Sequence, residues 1–119
     1  MTFVIISRSV FELSVFSRVL LQQGNTFVVS QEKEDINRMI SAVKVDAVIA
    51  DEKFIEMVRQ LTISYPMIPI AVISSKAKEH FHQFTEGLGI FMQLKPLPEK
   101  DDALGMLKKL NQLHCQITS

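Results

Sequence analysis

Four places in this sequence carry side chains that could do chemistry together. They are Asp51, Ser74, Lys95 and the triplet Ser7-Arg8-Ser9. Three follow an apolar run rich in β-branched residues, Ala47 to Ala50, Ile68 to Ile73 and Phe3 to Ile6, and Lys95 follows a weaker run, Ile90 to Leu94. Such continuous runs are expected of strands covered on both faces, as in parallel α/β proteins. Parallel sheets bind ligands outside the carboxyl ends of their strands, where strand order switches. A carboxylate, a hydroxyl and a long cation would then share one shallow crevice.

Each residue also has a plainer reading. A lone aspartate at a strand end usually caps a turn. Ser7 or Ser9 can cap the helix that follows, and the same helix start could hold an anion. Ser74 can cap the fourth helix, and Lys95 can be a solvated lysine at a turn. Asp46, at the far end of the third run, reads as a solvated strand start or a cap partner. Other reactive types are poorly placed. His80 and His82 are two apart in a helical stretch and share no face. Cys115 and His114 lie near the end with no acid or base close in sequence. No glycine occurs before Gly24, so the first loop has no glycine-rich phosphate fingerprint.

The elements that must position these groups alternate in period. A further strand-like run is Thr26 to Val29. Between the runs, Phe11 to Gln23 places Phe11, Val15 and Val19 at spacing four, and Gly24-Asn25 stops it. Glu32 to Val43, Phe54 to Ser64 and Lys76 to Glu86 repeat the helical spacing. A last helix starts near Glu99 to Asp102 and runs to about His114, with Leu104, Leu107, Leu110 and Leu113 on its inner side. Gln112 to Ser119 is polar and reads as a tail or the start of a linker. The order is β-α five times, which predicts a parallel sheet with helices on both faces.

Composition bounds the rest. The chain has 119 residues, a natural length for one domain, and 47% are hydrophobic, enough for one core. Thirteen Lys and Arg balance thirteen Asp and Glu, which argues against direct nucleic-acid binding. No apolar run approaches the roughly 20 residues that span a bilayer. The single cysteine forms no internal disulfide, so a cytoplasmic protein is expected.

With these pieces in order, the chain resembles a response-regulator receiver domain over nearly its whole length. Asp46-Ala47-Val48-Ile49-Ala50-Asp51 is similar to the family's third strand, which opens with Asp and ends with the phosphoryl-accepting Asp. Ile68-Pro69-Ile70-Ala71-Val72-Ile73-Ser74-Ser75 resembles the fourth, and Lys95-Pro96-Leu97 the Lys-Pro pair after the fifth. The resemblance implies a flavodoxin-like (βα)5 sheet of strand order 2-1-3-4-5. It implies Asp51 as the phosphoacceptor position, with Ser74 and Lys95 contacting a phosphoryl group. A carboxylate would attack phosphorus in line while cations stabilise the equatorial oxygens.

The sequence departs from that family at a critical point. The two adjacent acids that hold Mg²⁺ after the first strand are here Ser7 and Arg8. Mg²⁺ wants carboxylate oxygens, and Arg8 brings a fixed positive charge instead. Met92 stands where the family's switch aromatic belongs, with Phe91 one place off, and Phe54-Ile55 replace its Met-Pro. The resemblance is therefore to a degenerate receiver, or pseudo-receiver. On this reading Arg8 and Lys95 both neutralise Asp51 in a closed ion-pair cluster. No cofactor is expected.

The expected function is non-enzymatic: docking of a signalling partner, a histidine kinase or an output protein, with a second copy of the chain as another candidate. The family's docking face would draw on Lys76, Lys78, Glu79, Leu97, Glu99 and Lys100. The alternative is a functional receiver that accepts a phosphoryl group on Asp51 from a histidine kinase, with Mg²⁺. An anion or nucleotide binder using the first loop is a third.

Overall fold

Five short strands form one parallel sheet in the computed structural model, which describes residues 1–8 and 10–118 and, of these, the side chains of all but 10, 11 and 114–118. The strands are β1 (Thr2–Ile6), β2 (Thr26–Val29), β3 (Ala47–Asp51), β4 (Ile70–Ile73) and β5 (Met92–Leu94). Their order is β2-β1-β3-β4-β5, and every pairing is parallel. The expected fold is thus the observed one. Between the strands lie α1 (Ser14–Gln22), α2 (Lys33–Ala42), α3 (Ile55–Ser64) and α4 (Lys78–Phe84), with α5 (Lys100–Thr118) last.

Side-chain alternation splits the core into two layers. On β1, Phe3 and Ile5 join Ala47, Ile49, Ala71 and Ile73 beneath Phe16, Leu20, Met106 and Leu110 of α1 and α5. Val4 and Ile6 join Val48, Ala50, Ile70 and Val72 beneath Ile36, Val58, Leu61 and Phe81 of α2, α3 and α4. Because successive residues of a strand face opposite sides, a run apolar at every position must be buried twice over. All of these side chains are at least 95% buried.

Several element ends differ from the sequence expectation for local reasons. Strand β4 begins at Ile70 and not at Ile68, because Pro69 has no N–H to give the ladder; its carbonyl accepts the Val48 N–H at 2.9 Å. A 3₁₀ turn at Val10–Leu13 leads into α1, and another at Glu52–Phe54 leads into α3. Helix α1 closes with Gly24 at φ +80°; the Gly24 N–H reaches Leu21 and the Asn25 N–H reaches Leu20. That is the paired closure for which glycine's freedom at positive φ is suited. Helix α5 runs on to Thr118, so Gln112 to Thr118 is helical where a tail was expected; no Gly or Pro after Gly105 interrupts it. Ser9 and Ser119 lie outside the described residues, and with Ser9 goes its expected role as a helix cap. Asp46 accepts the Thr2 N–H at 2.7 Å and so ties the starts of β1 and β3.

Candidate functional site

The carboxyl ends of β1, β3, β4 and β5 bring the expected residues to one edge of the sheet. How they pair there differs from the expectation. Asp51 ends β3 half-buried, and its Oδ1 accepts the Lys53 N–H at 2.9 Å, capping the 3₁₀ turn. An aspartate accepts such a bond readily from the residue two places on.

Lys95 turns away from Asp51. Its Nζ lies 3.6 Å from Glu99 and 3.5 Å from Asp102, at the start of α5. Asp102 is itself fixed, because its carboxylate accepts the Glu99 N–H at 2.7 Å. Desolvation lowers the Lys95 pKa, but the charges and hydrogen bonds of Asp102 and Glu99 together outweigh it and leave the pKa raised. Arg8 also turns elsewhere, with its guanidinium carbon 5.8 Å from the centre of the Phe54 ring. No ion pair joins Asp51 to Arg8 or Lys95 among the described residues. The closed cluster around Asp51 is therefore corrected. Each cation has a competing partner fixed on its own or a neighbouring segment, and an exposed ammonium gains little by crossing to a third. The Lys95–Pro96 bond is trans.

Ser74 is 97% buried and takes a partner that sequence reasoning missed. Its hydroxyl donates to Glu52 Oε2 at 2.7 Å. Its Oγ accepts the Lys76 N–H at 3.1 Å, so it forms a turn ahead of α4, where the sequence suggested a helix cap. Lys76 Nζ reaches the same Glu52 oxygen at 3.1 Å and sits 4.5 Å from the Phe84 ring centre. The register explains the choice. Asp51 pairs with Ile73 across β3 and β4, so the next step puts Glu52 beside Ser74. Glu52 also continues the parity of Val48 and Ala50, as Ser74 continues that of Ile70 and Val72. Burial raises the Glu52 pKa, but Ser74 and Lys76, with Lys53 beyond, outweigh it and hold the carboxyl below its ordinary value of 4.5.

Ser7 is 98% buried at the end of β1, and its carbonyl accepts from the Gln31 amide at 3.4 Å. The donor set at this edge does not fit a magnesium ion: Ser7 and Arg8 add no carboxylate, and Glu52 is engaged. Among the described residues no three His, Cys, Asp or Glu side chains gather where they could hold a metal. The same limit applies to membranes: no described helix is long and apolar enough to cross one.

Strand order and site edge together define the flavodoxin-like fold of CheY-like response-regulator receiver domains. The chain is similar to the chemotaxis response regulator CheY4 of Vibrio cholerae at 15% identity and a TM-score of 0.77, over 92% of this chain and 97% of that one. A CheY-like receiver domain protein from Methanospirillum hungatei JF-1 matches at 14% identity and 0.79, over 97% of each. An uncharacterized protein from Neptuniibacter caesariensis matches at 22% identity and 0.78, over 94% of this chain and 87% of that one. No family model matches the sequence, and no curated protein matches it.

Proposed function

We propose that this chain is a signalling module of receiver fold that works by binding a protein partner, and not as a magnesium-dependent phosphoacceptor or an enzyme. The pairing at the strand ends carries this reading. A phosphoryl group on Asp51 would need a hydroxyl and cations. Ser74 is engaged by Glu52, Lys95 by Glu99 and Asp102, and Arg8 rests over Phe54. No metal or other cofactor is part of this function.

The partner is a signalling protein, either a kinase or an output protein. A groove of about 670 Å³ between α4, β5 and α5 supports a docking role. Phe81, Ile90, Phe91 and Met92 line it, with Lys78 and Lys109 at its rim. A cytoplasmic site of action follows from this role.

The test is nuclear magnetic resonance of the chain with beryllofluoride and millimolar Mg²⁺. The docking reading expects amide shifts around Asp51, Ser74 and Lys95 to stay unchanged. Receiver-like shifts at Asp51, or phosphotransfer to it from a kinase histidine, would establish the phosphoacceptor in its place.

A further inference from the structure

We propose that Glu52 is an internal latch, holding the segment between β4 and α4 in one arrangement that does not depend on modification of Asp51. The inference rests on the docking reading for its purpose and names the device that would serve it.

A serine has one hydroxyl proton to give, and that of Ser74 goes to Glu52 Oε2. The same oxygen takes the Lys76 ammonium at 3.1 Å, while the Phe84 ring of α4 lies against that ammonium. From the other side, the Gln93 amide of β5 donates to the Ser74 carbonyl at 3.1 Å and to the Lys76 carbonyl at 2.8 Å. Both amide hydrogens of Gln93 are thereby used. The segment is fastened to the end of β3 by a carboxylate, to β5 by a carboxamide, and to α4 by an aromatic ring. Hydrogen bonds between an ionised carboxylate and a hydroxyl or ammonium are among the stronger kinds. A new negative charge on Asp51 would find the only Ser74 proton taken. It could recruit Ser74 only by taking that proton from Glu52.

Amide hydrogen exchange at Lys76 reads the latch directly, because that N–H donates to Ser74 Oγ. In Glu52→Gln, Lys76 exchange is expected to quicken about tenfold or more, with the Ile49 and Val72 amides of the sheet unchanged. Asp51→Asn is expected to leave Lys76 at the wild-type rate. The latch is overturned if Glu52→Gln leaves Lys76 within about twofold of wild type, or if Asp51→Asn quickens it equally. Should Glu52→Gln fail to fold, Lys76→Met, which keeps the backbone N–H but removes the ammonium contact to Glu52, tests that second contact: the residue-76 amide should quicken beyond its changed intrinsic rate, and no such quickening overturns the latch. No phosphoryl donor is present. Phosphorylation of wild-type Asp51 would thus overturn the docking reading and leave the latch standing, and a Lys76 amide unchanged in Glu52→Gln would do the reverse.

Discussion

Ser74 donates its hydroxyl proton to Glu52 across 2.7 Å, while the neighbouring carboxylate, Asp51, binds its own backbone at Lys53. One residue of offset decides which acid belongs to the loop and which to the turn. The consequences can be measured.

Glu52→Gln should destabilise the fold by about 1 kcal/mol, because it weakens charge-assisted bonds at a site still open to solvent. Urea unfolding would show a lower midpoint with an unchanged slope.

The same carboxylate should give the protein an acid-sensitive component. Its folded pKa lies below 4.5, held there by Ser74, Lys76 and Lys53. The stabilisation is therefore full above the ordinary value and is lost as pH falls through the folded one. Melting temperatures between pH 6 and pH 3 should fall less steeply in Glu52→Gln than in wild type.

Asp51 acts on its own turn, so its truncation should be felt as the loss of a cap. Asp51→Ala should cost about 1 kcal/mol and Asp51→Asn only a fraction of that. Thermal unfolding of the two variants separates a cap from a charge that is needed for pairing.

Lys95 and Asp51 should be uncoupled. Lys95→Met is expected to leave the carboxyl resonance of Asp51 in place and to perturb those of Glu99 and Asp102. A shift at Asp51 would restore the cluster that sequence reasoning favoured.

Ile49 lies wholly buried at the centre of β3, against α1 and α5. Ile49→Ala should cost about 2–5 kcal/mol, a large share of the roughly 5–15 kcal/mol that holds such a domain together. Chemical denaturation would show it.

Much of the scaffold was legible because it rests on local rules. The apolar runs at Phe3, Ala47 and Ile68 read as strands covered on both faces, and the stripe of Phe11, Val15 and Val19, with Phe16 and Leu20 beside it, as a helix packed on them; Phe16, Val19 and Leu20 are buried there, whereas Val15 is exposed. Element ends were less legible. The start of β4 depended on Pro69 lacking a donor, and α4 begins only after Ser74 has taken the Lys76 N–H. Of the candidate site, the positions of Asp51, Ser74 and Lys95 at one sheet edge followed from the strand ends. Glu52 and Gln93 were overlooked, although Glu52 stands next to Asp51, and Lys76, two residues beyond Ser74, was read only as part of a docking face. Nothing in their spacing says which way a long side chain turns.

The sequence by itself determined the alternation of strand and helix, the two-faced burial of the sheet, and the replacement of an acidic pair by Ser7 and Arg8. These depend on backbone period and residue identity, which are properties of short stretches. Only the tertiary structure decided the partners of the charges. Strand register set Glu52 against Ser74, and the start of α5 put Glu99 and Asp102 nearer to Lys95 than Asp51 is. Ion pairs form with the nearest fixed partner, and nearness across strands is created by folding.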